Sequence, residues 1–321
     1  MSLLKVNELV KNTADGFKLN GVSFEIEEKG IYGFFGKKGS GKTLLASLLC
    51  GVCDADEGDI CYKDKSIYAS EKQAVVVKKK IGYVPDAVRF PSDMSVEELL
   101  DFTGAAKGVS PDKRARQIKE ALTLTGLDKK SEYLIENLSP SEKKRVAYAN
   151  ALLGNPDVIV IDEPIAMIDL LQRDEIKKLI AMLGKMKVVV AFCKNPADIE
   201  EMCDYIGIMS NGNLRIFESA AEIAEKLGGN VSALLRIRSK GADVEKIIDV
   251  LCNIEHITDV RAGNQSSAII DIKIECSTRD GVSAAVSSAV EALGVEIVSL
   301  RFADLKVADL VEALSAQSEE E

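Results

Sequence analysis

The residues GKKGSGKT, from Gly36 to Thr43, fit the pattern GxxxxGK[ST]. Residues of these types at this spacing suit one task. Glycines let backbone N–H groups close around phosphate oxygens, a lysine reaches the outer phosphates, and a hydroxyl faces a divalent cation. Gly36, Lys37, Lys38, Gly39, Ser40 and Gly41 would form the loop, Lys42 would reach β- and γ-phosphates, and Thr43 would help hold Mg²⁺. A second pair, Asp162 and Glu163, ends the apolar run Val158 to Ile161 and precedes Pro164. Beside a phosphate loop, Asp162 would complete the Mg²⁺ site and Glu163 would orient or deprotonate an attacking water. Each motif alone is compatible with an ordinary loop; together they describe nucleotide hydrolysis.

Both motifs need a rigid frame, and the hydrophobic pattern supplies one. Short runs apolar on both faces occur at Ile31 to Phe35, Ile81 to Val84, Val158 to Ile161, Val188 to Phe192 and Ile206 to Met209. Such runs suit strands of a largely parallel sheet covered by helices. The phosphate loop directly follows the first run and precedes an apolar helix, Leu44 to Leu49. Ser110 and Pro111 read as the N-cap and first position of a helix ending near Gly126. Asn211 and Gly212 read as a hairpin turn leading into Leu214 to Phe217. A first domain spanning 1–228 is therefore expected to be α/β, with antiparallel strands at its start. Gly228, Gly229 and Asn230 read as a linker. A second domain, 231–316, follows the order βαββαβ: Ala233 to Arg238, Val244 to Cys252, Ile257 to Arg261, Ala268 to Glu275, Val282 to Leu293 and Val295 to Phe302. That order predicts a small ferredoxin-like α+β domain, suited to interaction or regulation. Leu305 to Leu314 reads as a closing amphipathic helix, before an acidic solvated tail.

With these motifs in order, the first domain resembles the ATP-binding subunit of ABC transporters. IGYVPD (Ile81 to Asp86) falls at the Q-loop, LSPSEKKR (Leu138 to Arg145) at the signature, NPDVIVIDEP at 155–164, Asp169 at the D-loop and CDYIGIMSNGNL (Cys203 to Leu214) near the end. The second domain, closing with Ala308, Asp309 and Leu310, is similar at fold level to the extension of the ABC-2 export and antibiotic-resistance branch. The resemblance implies a P-loop ATPase that uses ATP and Mg²⁺, a membrane permease as partner, and a second ATPase chain that sandwiches nucleotide against the signature residues Ser139, Ser141 and Glu142.

Several positions depart from that pattern. Lys194 stands where the family has its switch His, and a lysine acts there as a point charge rather than through a neutral ring nitrogen. Asp86 replaces the Q-loop Gln. In the signature, Pro140 removes an N–H donor and Glu142 adds negative charge. Thr13 stands where an aromatic usually stacks on adenine. Glu163, Lys194 and Asp86 are thus the candidate catalytic and γ-phosphate-sensing residues. The expected function is an ATPase driving a separate permease, the alternative a nucleotide-binding regulatory subunit with little or no hydrolysis. The weakened signature favours a heterodimer with asymmetric hydrolysis, with a homodimer left open.

Composition excludes other classes. The chain has 321 residues, enough for two domains at roughly 150 each. Its 41 basic and 51 acidic residues give a net charge of −10, which argues against a general nucleic-acid-binding surface. No 18-residue apolar run or secretory signal occurs, so a cytoplasmic protein, peripheral on the inner face of the cell membrane, is expected. Seven scattered cysteines suit a reducing compartment, and the CxxC at Cys50 and Cys53 ends a helix rather than starting one. With one histidine, His256, a structural zinc site lacks ligands. Lys78, Lys79 and Lys80 read as a solvated helix end, with contact to an anionic lipid as the alternative.

Overall fold

Residues 2–227, 231–238, 243–265, 269–277, 282–304, 307–308 and 310–311 are described in the computed structural model. They include two compact units, one built on Met1–Ala220 together with Leu310–Glu321 and one on Ala221–Asp309. The expected linker, Gly228 to Asn230, lies outside the described residues, as do Asp309 and the acidic tail; of the expected closing helix only 307–308 and 310–311 are described, and they are helical.

The first unit opens with β1 (Leu4–Asn12), β2 (Lys18–Ile26) and β3 (Gly30–Phe35), then α1 (Lys42–Leu49), β4 (Glu57–Tyr62), β5 (Lys65–Ser66), α2 (Glu71–Lys78) and β6 (Ile81–Val84). Three helices follow, α3 (Val96–Ala106), α4 (Pro111–Thr125) and α5 (Pro140–Leu152). The unit ends with β7 (Val158–Asp162), α6 (Arg173–Met186), β8 (Val188–Cys193), β9 (Tyr205–Ser210) and β10 (Asn213–Ser219). β2-β1-β4-β5 form an antiparallel sheet. A second sheet has the order β10-β9-β3-β8-β7-β6, parallel except for the β9–β10 hairpin. Every residue of β3, β7 and β8 is buried, as their two-faced apolar sequences require. One core joins both sheets through α1: Leu45, Leu48 and Leu49 pack with Phe24, Phe34, Val160, Val190 and Phe192. The Phe34 ring lies 5.0 Å from Phe24, 5.1 Å from Phe192 and 5.6 Å from Phe217.

A separate core ties α3, α4 and α5 together around Val96, Leu99, Leu100, Ile118 and Val146. Within α3, Val96, Leu99 and Leu100 face that core, while Phe102 is exposed. Pro111 starts α4 as expected, but the Ser110 side chain makes no capping hydrogen bond.

The second unit begins at α7 (Ala220–Leu227) and runs β11 (Val231–Arg238), α8 (Val244–Cys252), β12 (Ile257–Gln265), β13 (Ile269–Cys276), α9 (Val282–Ala292) and β14 (Ile297–Asp304). Its sheet order, β12-β13-β11-β14, is antiparallel throughout and is the ferredoxin-like arrangement expected from the βαββαβ pattern. Alternate residues Leu235, Ile237, Ile272 and Ile274 pack on Ile247, Leu251, Val286 and Val290 of the two helices. None of the seven cysteines forms a disulfide, and no group of metal-ligating side chains occurs among the described residues.

Candidate functional site

The C-terminal ends of β3, β6, β7 and β8 deliver the residues singled out by spacing to one place. A cavity of about 460 Å³ is lined by the loop from Lys38 to Thr43, by Asp86, Glu163 and Lys194, and by Phe17. Gly36 closes β3 where a Cβ would collide with the Met209 carbonyl and the Ser40 hydroxyl. Gly39 and Gly41 have φ of +86° and +100°, conformations that glycine adopts without strain. Gly41 is also the N-cap of α1, so the loop amides lead directly into the positive end of a buried helix.

Lys42 is folded back into this loop. Its Nζ donates to the carbonyls of Gly36 at 2.6 Å and Lys37 at 3.0 Å, and to Ser40 Oγ at 3.1 Å. Burial lowers its pKa, against the opposing pull of Glu163 and Asp162. A phosphate in the loop would offer this ammonium stronger, charged acceptors in place of neutral carbonyls.

Asp162 ends β7 with both carboxylate oxygens buried and without a hydrogen-bond partner among the described residues. Burial raises its pKa, while the Thr43 hydroxyl and the cations Lys144 and Lys194 oppose that shift. A carboxylate left without partners beside a threonine hydroxyl and a phosphate loop is the donor set Mg²⁺ favours: hard oxygens, completed by phosphate and water. Thr43 and Asp162 therefore fit the ion.

Glu163 has a left-handed φ of 52°, and its N–H donates to the Phe192 carbonyl at 2.8 Å, which turns the side chain out of the sheet edge toward the cavity. Lys194 Nζ stands 3.5 Å from Glu163 Oε1 and 4.0 Å from Asp86 Oδ2. The two replaced positions thus meet around the same carboxylate. Burial raises the pKa of Glu163, and Lys194 counters it.

The signature residues are held by local bonds. Ser139 and Glu142 form a capping box at the start of α5: Ser139 Oγ accepts from the Glu142 N–H, and Glu142 Oε2 accepts from the Ser139 N–H. Glu142 also pairs with Lys130 at 3.4 Å. Pro140 occupies the first helical position, where its missing N–H costs the helix nothing. Ser141 is buried, and its hydroxyl donates to Gln172 Oε1 at 2.8 Å, so it does not share the exposed turn with Ser139 and Glu142. Asp169 precedes a short 3-10 turn, Leu170–Gln172, rather than joining the cavity.

Two residues that spacing did not single out belong to the site. Lys144 is fully buried in α5 and donates to the carbonyls of Pro85 at 2.7 Å and Asp162 at 3.0 Å, linking the two strands that carry Asp86 and Glu163. Burial brings its pKa down to about 8. Phe17 is the aromatic of the cavity, with its ring edge 3.1 Å from where a Cβ on Gly41 would sit. Thr13 cannot act as the platform, since its hydroxyl and amide both donate to the Phe17 carbonyl at 2.8 Å. The only sequence signal for Phe17 was an aromatic in a polar turn upstream of a phosphate loop.

Residues 19–166 match the family model described as ABC transporter. The linearmycin resistance ATP-binding protein LnrL of Bacillus subtilis is 25% identical over 260 residues, 81% of this chain and 80% of that protein. The bacitracin transport ATP-binding protein BcrA of Bacillus licheniformis is 25% identical over 215 residues, 66% and 68% of the respective chains. Among solved structures, cbiO1 from Clostridium perfringens, part of the ABC transporter complex cbiONQ, superposes with a TM-score of 0.62 at 28% identity, covering 70% of this chain and 92% of that one.

Proposed function

The chain is an ATP-binding subunit of the ABC transporter family, and on that premise we propose that it binds and hydrolyses ATP to drive a separate membrane permease. The observation that carries the hydrolytic reading is the placement of Glu163: a carboxylate turned into the phosphate-loop cavity, next to a buried Asp162 whose oxygens lack partners. When bound, Mg²⁺ neutralises phosphate charge. The chain's own groups do the rest. Loop amides and Lys42 hold the phosphates, Glu163 orients a water and takes its proton, and Lys194 supplies positive charge where the γ-phosphate carries negative charge. Asp86 holds Lys194 at the mouth of the site, and Lys144 fixes the spacing between the strand ends.

Phe17 serves as the base platform in place of Thr13. Its ring borders the same cavity as Lys42 and Thr43, so a nucleotide seated in the loop would bring its base to that ring.

No helix among the described residues is long and apolar enough to cross a membrane; the permease is read as a separate chain from the likeness to ATP-binding transport proteins. The subunit docks from the cytoplasmic side. Its closed state includes a second ATPase chain, because each nucleotide needs a signature turn from across the interface. Here that turn presents Glu142 and keeps Ser141 buried. This supports pairing with a different chain whose signature lacks the carboxylate. Steady-state hydrolysis by the purified chain tests both points. Slow turnover that rises on adding the partner chain is expected, and brisk turnover by the isolated chain would refute the asymmetric pairing.

A further inference from the structure

A cluster of lysines lies at the opposite end of the parallel sheet from the phosphate loop. Lys79 and Lys80 precede β6, Gly154 to Asp157 precede β7, and Lys187 precedes β8; these strands are parallel, so all three segments sit at the edge away from the phosphate loop. There, a cavity of about 440 Å³ is lined by Lys79, Lys80, Lys107 and Lys113, together with Ser110 and Gln117, and by no carboxylate. In a chain of charge −10, four lysines around one hollow, of which Lys80 alone has a carboxylate partner among the described residues, is a costly arrangement unless something anionic relieves it.

The surrounding bonds separate structural cations from free ones. Lys107 Nζ donates to the Leu153 carbonyl at 2.8 Å, and Lys80 lies 3.6 Å from Asp157. Asp157 is itself shared with Lys63 and the Tyr62 hydroxyl. The side-chain ammonium groups of Lys79 and Lys113, both exposed, have no ion-pair or hydrogen-bond partner among the described residues. Two glycines keep the hollow open. Gly108, with φ of +78°, lies against Lys79, where a Cβ would sit 3.2 Å from Nζ; Gly154, also at +78°, lies against the Lys107 stem, and its N–H is fixed by Gln117 Oε1 at 3.0 Å. Burial brings the Lys107 pKa down to about 8, as expected of a cation that lacks a counter-charge.

The geometry points to this lysine-lined cavity as a binding site for a phosphate-bearing anion, either a free phosphate ester or a phospholipid headgroup. Phosphate is favoured over carboxylate because the free donors are lysines, point charges suited to a dianion. The arginine nearby, Arg116, is committed to Glu120 at 2.7 Å. An adjoining cleft of about 670 Å³ shares Lys113 and Gln117 and adds the exposed Leu124 and Met186, which gives apolar contact for the rest of an ester or lipid. The site is independent of the nucleotide reading, since it shares no residue with the phosphate loop.

The test uses the full chain with its nucleotide site saturated by MgADP, so that the phosphate loop is occupied. In one arm, calorimetry follows inorganic pyrophosphate and glycerol 3-phosphate. In the other, the chain is sedimented with phosphatidylcholine vesicles with and without phosphatidic acid. The comparison variant, Lys79→Glu with Lys113→Glu, alters two exposed side chains, and its ADP affinity reports an intact fold. Binding in either arm that weakens with salt and falls at least about tenfold in the double variant supports the site. The arm that responds identifies the source. Failure of both arms, or binding that the double variant retains, overturns the proposal.

Discussion

Replacing Phe17 by Ala separates base recognition from phosphate recognition in this cavity. The ring is half-buried, with one edge against Gly41, so one face remains for a base. Stacking of a base on an aromatic contributes about 1 to 3 kcal/mol by alanine substitution. At 25 °C that is roughly a 5- to 150-fold loss of ATP affinity, and single-faced stacking places the expectation near tenfold. The phosphate contacts lie elsewhere: Lys42 turns toward the loop and the amides follow Gly39, and the Phe17 side chain makes no hydrogen bond to either. Inorganic tripolyphosphate should therefore bind wild type and Phe17→Ala equally, while ATP discriminates. Phe17→Tyr or Phe17→Trp should restore ATP affinity, because any aromatic face suffices. The assay is equilibrium titration of both ligands with Mg²⁺ against the three variants. An ATP dissociation constant within twofold of wild type in Phe17→Ala would refute the platform. Equal weakening of tripolyphosphate would show instead that the ring supports the loop through Gly41.

The remaining expectations address the site and the fold. Glu163→Gln should abolish turnover while ATP still binds, measured by single-turnover hydrolysis alongside nucleotide titration; residual turnover near wild type would exclude Glu163 as the base. Lys194→Ala should lower kcat by roughly 10²-fold, the scale for losing one preorganised charge stabiliser, with KM little changed; unchanged kcat would show that the 3.5 Å pair with Glu163 has no part in hydrolysis. Phe34→Ala removes the ring at the centre of the aromatic core and should cost about 3 to 5 kcal/mol, read from denaturant unfolding; a cost under about 1 kcal/mol would contradict its packing against Phe24, Phe192 and Phe217. Lys107→Met tests the sign of a buried ammonium. The folded pKa of about 8 lies below the ordinary lysine value of 10.5, so below pH 8 the wild type bears the cost of burying the charge. As pH rises from 8 to 10.5, the folded lysine deprotonates before the unfolded one and stability recovers. The variant should be more stable at pH 7 by about 1 to 3 kcal/mol after loss of one hydrogen bond, and this advantage should shrink across that window; a pH-independent difference would count against it.

What the sequence displays here follows from how local each feature is. Glycine spacing, two-faced apolar strands and the βαββαβ order are contiguous signals, and the strands, α1 and the second sheet's order match them. The helix start at Lys42 precedes the apolar run because the loop's own Gly41 caps it, and caps are invisible to hydrophobic periodicity. Features made by non-neighbours were not legible. Lys144 reads as a surface charge in a basic run, yet its ammonium is buried on two carbonyls, one 59 residues away in sequence. Glu142 reads as a charge defect in the signature, and only the capping box shows that it also has a helix-starting role. The four-lysine cavity is assembled from the end of α2, the α3–α4 connection and the first turn of α4, segments that no short pattern joins.

Asp86 and Lys194 show most directly why single positions mislead. Taken separately, an acid at the Q-loop repels phosphate and a lysine in place of a histidine cannot hold a water through a ring nitrogen. Across the ends of β6 and β8 they become partners, 4.0 Å apart, with Glu163 on the other side of the same ammonium. Both side chains of the Asp86–Lys194 pair are about half exposed, so its direct Coulomb term is near 1 kcal/mol in water, and pairs of this kind typically yield about 0.2 to 1 kcal/mol. Its larger consequence is geometric: Asp86 draws Lys194 away from a tight grip on Glu163 and leaves it free to turn to an incoming phosphate. On this argument Asp86→Asn should slow turnover, Lys194→Gln should slow it further, and the double variant should lose less than the sum, because Asp86 matters only through Lys194. A double-mutant cycle on kcat/KM measures the coupling. Effects that add within about 0.3 to 0.5 kcal/mol would refute the coupling and make the two substitutions independent losses.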